Sequence, residues 1–111
     1  MPDLSFRVEM AGDVPVVVTP GDIDITNAAA FRAALLEAAG RRKTFVVDMS
    51  RTQFCDTAGI HALVAAHKQA GDDGEVRLVV TSPTVLRIFA ITGFDQVISS
   101  FSRLDQALTA P

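Results

Sequence analysis

Thr44-Phe45-Val46-Val47-Asp48-Met49 is the stretch that most restricts what this chain can become. A strand wetted on one side alternates apolar and polar residues, whereas a nearly continuous apolar run needs cover on both faces. The flanking segments supply helices for that purpose. Residues 26–39 are Ala-rich, with Phe31, Leu35 and Ala38 at helical spacing, Gly40 as a stop, and Thr26 or Asn27 as a cap. After the strand, Ile60, Leu63, Val64 and His67 form an i, i+3, i+4, i+7 stripe that ends near Gly71. A buried strand between two helices is the unit of an α/β fold with a parallel sheet.

The remaining segments extend that unit. Phe6, Val8 and Met10 alternate with Ser5, Arg7 and Glu9, which predicts a half-buried strand. Ala11-Gly12-Asp13 is too short for a parallel crossover, so Pro15 to Pro20 forms an antiparallel partner. Glu75 to Thr81 reads as another strand, Ser82-Pro83 opens a helix carrying Val85, Ile88 and Phe89 and closed by Gly93, Val97-Ile98 is a weak last strand, and Leu104, Ala107 and Leu108 mark a final helix. The predicted order is ββαβαβαβα. It implies a single domain over 1–111, with a mixed, mostly parallel sheet of about five strands, an antiparallel N-terminal edge hairpin and about four helices. Functional loops of such sheets gather at the carboxyl ends of the strands, so segments after Pro20, Met49 and Val80 share one rim. There the acidic loop 21–24 and loop 55–59 become neighbours.

Composition narrows the partners. The chain has 111 residues, enough for one core without staples, and 10 Lys+Arg against 13 Asp+Glu give a net charge of −3. A nucleic-acid binder needs a basic patch to displace counterions, so protein or small-molecule partners are favoured. The single cysteine, Cys55, excludes an internal disulfide and fits a reducing cytoplasm. The N-terminus lacks a signal-like apolar core, and no apolar run approaches the roughly 20 residues of a membrane span.

The densest candidate for chemistry is Cys55-Asp56-Thr57-Ala58-Gly59. Asp56 is placed to accept N–H bonds as a helix N-cap, which leaves Thr57 first in the helix with its hydroxyl near solvent. A phosphate on Thr57 would sit at the positive end of the helix dipole, tolerable for the fold, yet surrounded by Asp22, Asp24 and Asp56. Spacing alone favours the plainer reading, in which Asp56 is only a cap and Thr57 only a first-turn residue. Other chemistries lack parts. A Mg²⁺-binding receiver site could use Asp22, Asp24, Asp48 and Asp56, but the two lysines, Lys43 and Lys68, are away from the position it requires. A phosphatase loop on Cys55 needs an arginine where His61 stands. His61 and His67 are six apart, which does not stack them as zinc ligands, and no nucleophile elbow or phosphate-cradling loop occurs. No catalytic residue, metal or cofactor is therefore assigned.

Phe54-Cys55-Asp56-Thr57-Ala58-Gly59-Ile60 resembles the corresponding loop of the STAS family, of the bacterial anti-sigma factor antagonist type. Gly21-Asp22-Ile23-Asp24 is similar to the family's Gly-Glu-Leu-Asp step, Phe45 to Ser50 to its central strand, and Ser82 to Arg87 with Thr92-Gly93-Phe94-Asp95 to its third helix and the turn after it. The resemblance runs in order over about residues 5 to 108. It implies a non-enzymatic regulator of transcription. The unmodified form would bind an anti-sigma factor with serine/threonine kinase activity and free a sigma factor, phosphorylation would break that partnership, and a phosphatase would restore it. Carried over by position, the acceptor is Thr57, and the partner surface comprises Asp22, Asp24, Asp56, Thr57, Ala58, Gly59 and His61. Thr57 stands where these antagonists most often have serine, and Ala58 leaves one hydroxyl in the loop. The family also includes scaffold subunits of stress-signalling assemblies, accessory subunits of lipid-transport complexes and tails of anion transporters. A chain of this length argues against the last.

Overall fold

The computed structural model describes residues 5–111. Ten of its elements lie in or against one sheet: β1 (Arg7–Ala11), β2 (Val14–Val18), α1 (Ala28–Arg41), β4 (Phe45–Met49), α2 (Thr57–Ala70), β6 (Val76–Val80), α3 (Pro83–Thr92), a 3-10 turn (Phe94–Gln96), β7 (Ser100–Phe101) and α4 (Leu104–Thr109). Two further strands, β3 (Asp22–Ile23) and β5 (Phe54–Cys55), pair only with each other. The sheet order is β1-β2-β4-β6-β7, with β1 and β2 antiparallel and every other pair parallel. The apolar run 45–49 is thus the middle strand.

Its two sets of alternate residues explain the layers. Phe45, Val47 and Met49, with Val17, Leu78 and Val80, face a core filled by Phe31 and Leu35 of α1, Ile60 and Leu63 of α2, and Val85 and Phe89 of α3. Val46, with Val16 and Val79, faces a smaller core closed by Ala107 of α4 and flanked by Leu104 and Leu108. Arg77 fastens that short helix, donating to the carbonyl oxygens of Ala107 and Ala110 at 3.0 and 2.9 Å while its Nε holds Glu75. A cation at a helix C-terminus satisfies carbonyls that lack intrahelical partners.

Four local expectations change. Met10 was expected to face inward with Phe6 and Val8, but it is exposed. Phe6 stacks on Phe31 of α1 with ring centroids 5.1 Å apart, and this cover fades toward the hairpin tip at Gly12. Helix α1 runs past Gly40 to Arg41 and gains no side-chain cap from Asn27. Strand β2 stops at Val18, short of Pro20. The last strand is Ser100–Phe101 rather than Val97-Ile98, because the Phe94 carbonyl accepts from both Val97 and Ile98 N–H and the chain is still turning there.

The carboxyl ends of the strands meet as expected. Thr19 N–H donates to the Asp48 carbonyl at 3.2 Å, and Thr81 Oγ1 donates to the Ser50 carbonyl at 2.8 Å. The buried Thr52 hydroxyl donates to the Pro20 carbonyl and lies 2.6 Å from Thr19 Oγ1. These bonds hold the loops leaving β2, β4 and β6 on one rim.

Candidate functional site

The site is built on the two-residue ladder β3–β5, in which Asp22 pairs with Phe54 and Ile23 with Cys55. Gln53 N–H to the Gly21 carbonyl (2.7 Å) and Asp56 N–H to the Ile23 carbonyl (3.0 Å) extend it at both ends. Loops 21–24 and 55–59 are therefore neighbours. The period of two turns Ile23 and Cys55 inward, where both are buried, and leaves Asp22 and Phe54 exposed.

Asp56 follows and caps α2 as its spacing implies. Its Oδ1 accepts from Ala58 N–H at 3.0 Å and from Gly59 N–H at 3.4 Å. Thr57 is the first helical residue, exposed, and its hydroxyl makes no hydrogen bond among the described residues. His61 is also exposed and lies one turn on, hence on the same helix face. Ala58 is half-buried.

Gly59 does not join that surface. It is buried, and a Cβ there would lie 2.6 Å from Cys55 Sγ and 2.8 Å from Ile23 Cγ2. Its place in the partner-facing set is corrected: the missing side chain lets α2 approach the ladder, and so sets the height of Thr57 above it.

The loop after β3 is fixed by its own side chains. Asp24 N–H donates to Asn27 Oδ1 and Asn27 Nδ2 to the Asp22 carbonyl, both at 2.9 Å. Asn27 is thus spent on the loop, which is why it does not cap α1. Asp24 Oδ1 accepts from the Thr26 hydroxyl and from Thr26 N–H. These bonds, the hydroxyl's first, hold the Asp24 carboxyl below its ordinary range. Among the described residues no Lys or Arg forms an ion pair with Asp22, Asp24 or Asp56. Nor does any group of three or more His, Cys, Asp or Glu stand close enough to hold a metal ion.

Cys55 lies beneath the site, with Sγ 3.7 Å from the Asp56 carbonyl oxygen. Burial first, and the Asp56 carboxylate second, push its thiol up to about 12 from 9.0. The native thiol therefore keeps its proton at alkaline pH while the unfolded chain loses it. The thiol's contribution to stability is complete below about pH 9 and is lost as pH rises toward the native value, by at most about 1.4 kcal/mol per pH unit. Urea titrations at pH 8 and pH 10 are expected to show this fall in wild type and a smaller one in Cys55→Ala. An equal fall in both would contradict the assignment.

The ladder itself leaves no periodic signal in the sequence. Two residues per strand carry no measurable period, although Asp22-Ile23-Asp24 and Phe54-Cys55-Asp56 each place one apolar residue inward between polar or exposed neighbours.

Comparison with known proteins agrees with this fold. Residues 5–107 match the STAS domain family. The anti-sigma-F factor antagonist RsfB of Mycobacterium tuberculosis is 30% identical over 97 residues, covering 86% of this chain and 80% of that protein. The crystal structure of an anti-sigma factor antagonist from Mycobacterium paratuberculosis superposes with a TM-score of 0.87 at 30% identity, covering 95% of this chain and 91% of the other. SpoIIAA, an anti-sigma factor antagonist of Bacillus, shares the fold at 21% identity, with TM-scores of 0.74 for its unphosphorylated and 0.69 for its phosphorylated form; the former match covers 93% of this chain and 92% of that one. On this match over nearly its whole length, the chain belongs to the STAS domain family, and it is similar to relatives that are anti-sigma factor antagonists.

Proposed function

We propose that this protein is an anti-sigma factor antagonist, a cytoplasmic binding module without catalysis of its own, switched by phosphorylation of Thr57. One observation carries the reading: an exposed, unengaged hydroxyl stands at the first position of α2, on a loop that the ladder and the Asp56 cap hold in a single geometry. A kinase needs a reachable acceptor in a defined pose. The helix N-terminus favours the added negative charge, so modification changes the surface more than the fold.

In this reading the unmodified protein binds an anti-sigma factor that is also a serine/threonine kinase. Asp22, Asp24, Asp56, Ala58 and His61 contribute the contact surface, and Gly59 acts from beneath. The kinase transfers the γ-phosphoryl group of ATP to Thr57 Oγ1, ADP leaves, and the hydroxyl proton passes to solvent or a kinase base. The phosphoprotein releases the partner, and a phosphatase resets it.

The test is size-exclusion chromatography of the protein with purified anti-sigma kinases from its own organism. A complex is expected without ATP and its separation after ATP. A complex that survives ATP and persists with Thr57→Glu would instead identify a constitutive subunit of a larger assembly.

A further inference from the structure

Two large apolar side chains stand in solvent at the ends of the ladder that carries Thr57. Ile25 directly follows Asp24 and is 80% exposed; Phe54 opens β5 opposite Asp22 and is 43% exposed. Single exposed apolar residues are ordinary. Ile25 differs because the turn that carries it does not use it, and Phe54 because it keeps a large apolar edge in solvent directly across the ladder from an acidic residue. The turn around Ile25 is held by the side chains of Asp24, Thr26 and Asn27, so a polar residue would serve it as well. The buried side of the ladder is already supplied by Ile23 and Cys55.

We propose that Phe54 and Ile25 are the apolar anchors of the docking surface, and that the partner presents an apolar pocket ringed by Lys or Arg. This rests on the reading under Proposed function and names the chemistry of its partner. The ring follows from charge. Asp22 stands across the ladder from Phe54, Asp24 precedes Ile25 and Asp56 follows Cys55; among the described residues none of the three has an ion-pair partner, and the Asp22 carboxylate makes no hydrogen bond. Such a rim attracts a basic surface and rejects an acidic one.

The anchors also resolve a problem of sign. A phosphate adds negative charge to a surface whose partner is basic, which by attraction alone would tighten the complex. Thr57, however, stands like Ile25 two residues beyond the last pair of the ladder, so the contact that covers Ile25 also dehydrates the Thr57 side chain. A neutral hydroxyl tolerates that. A phosphate of roughly −1.5 to −2 charges must shed its water against apolar surface, and this cost outweighs the attraction of a peripheral ring.

The experiment is calorimetric titration of unphosphorylated protein with the purified anti-sigma-F factor of Mycobacterium tuberculosis and with each anti-sigma kinase of the protein's own organism. Phe54→Ala and Ile25→Ser are each expected to raise Kd at least about tenfold, as hot-spot truncations do, with a melting temperature close to wild type for Ile25→Ser and moderately lowered for Phe54→Ala, whose ring is partly covered. Phe54→Leu is expected to recover most of the affinity. Ile91→Ser removes an apolar side chain 77% exposed near the far end of α3 and is expected to leave Kd unchanged. Asp22→Lys is expected to weaken binding. Wild type binding none of these proteins overturns the antagonist reading and this inference with it. Wild type binding while Phe54→Ala and Ile25→Ser match it overturns the anchors alone. An equal loss with Ile91→Ser removes the anchors' special role, and tighter binding by Asp22→Lys overturns the basic ring.

Discussion

Thr57→Glu should weaken binding to the anti-sigma partner by about 100-fold, the equivalent of about 2.7 kcal/mol, while moving the melting temperature by less than about 5 °C. The two halves of that expectation have separate causes. A carboxylate at position 57 would be buried without a partner in a contact shaped around a neutral hydroxyl, and an unpaired charge at an interface costs about 2–5 kcal/mol. In the isolated protein the same carboxylate sits in water at the first turn of α2. There the helix dipole favours it by about 0.3–1 kcal/mol, and the neighbouring Asp56 offsets part of that gain. Calorimetric titration and a thermal melt on the same preparation separate the two. Affinity equal to wild type would remove Thr57 from the interface, and a collapse in stability would show that position 57 is structural.

The second large effect falls on Gly59. Glycine inside a helix costs about 1 kcal/mol relative to alanine, so propensity alone favours Gly59→Ala. The structure reverses the sign. The new Cβ would meet Cys55 Sγ at 2.6 Å and Ile23 Cγ2 at 2.8 Å, and both side chains are fully buried, so one of them or the helix must shift. Overpacking of this kind costs about 1–3 kcal/mol for one methyl, and more for Gly59→Val. Relief requires α2 and the β3–β5 ladder to separate, which also moves Thr57 relative to Asp22 and Asp24. Urea denaturation is expected to show a net loss in Gly59→Ala and a larger one in Gly59→Val. A stabilised Gly59→Ala would mean that the close approach does not exist in solution.

The difference between these two residues shows what the sequence could and could not reveal. The middle strand 45–49 and helix α2 were legible because several residues in each repeat a period tied to burial, and Asp56 was legible because a cap is a local signal. The place of Thr57 as first helical residue came with that cap, whereas its role as acceptor is implied by the family resemblance alone. Gly59 belongs to the loop motif yet is buried, because a motif orders residues along the chain without showing which side of the helix meets the ladder. The ladder itself, two residues per strand, lies below the length at which alternation can be recognised. Asn27 illustrates competition: it is a good capping residue, but the Asp22 carbonyl and Asp24 N–H claim its amide, and α1 begins uncapped. Met10 fits its strand's alternation yet lies beyond the reach of α1, and cover by another element is not written in a strand's own sequence.

The central claim is that Thr57 is the switch. Its most direct test is intact-mass analysis of wild type and Thr57→Ala after incubation with ATP and the anti-sigma kinase that binds the wild-type protein. One added phosphoryl group on wild type and none on Thr57→Ala is the expected result; equal labelling of both proteins would contradict it.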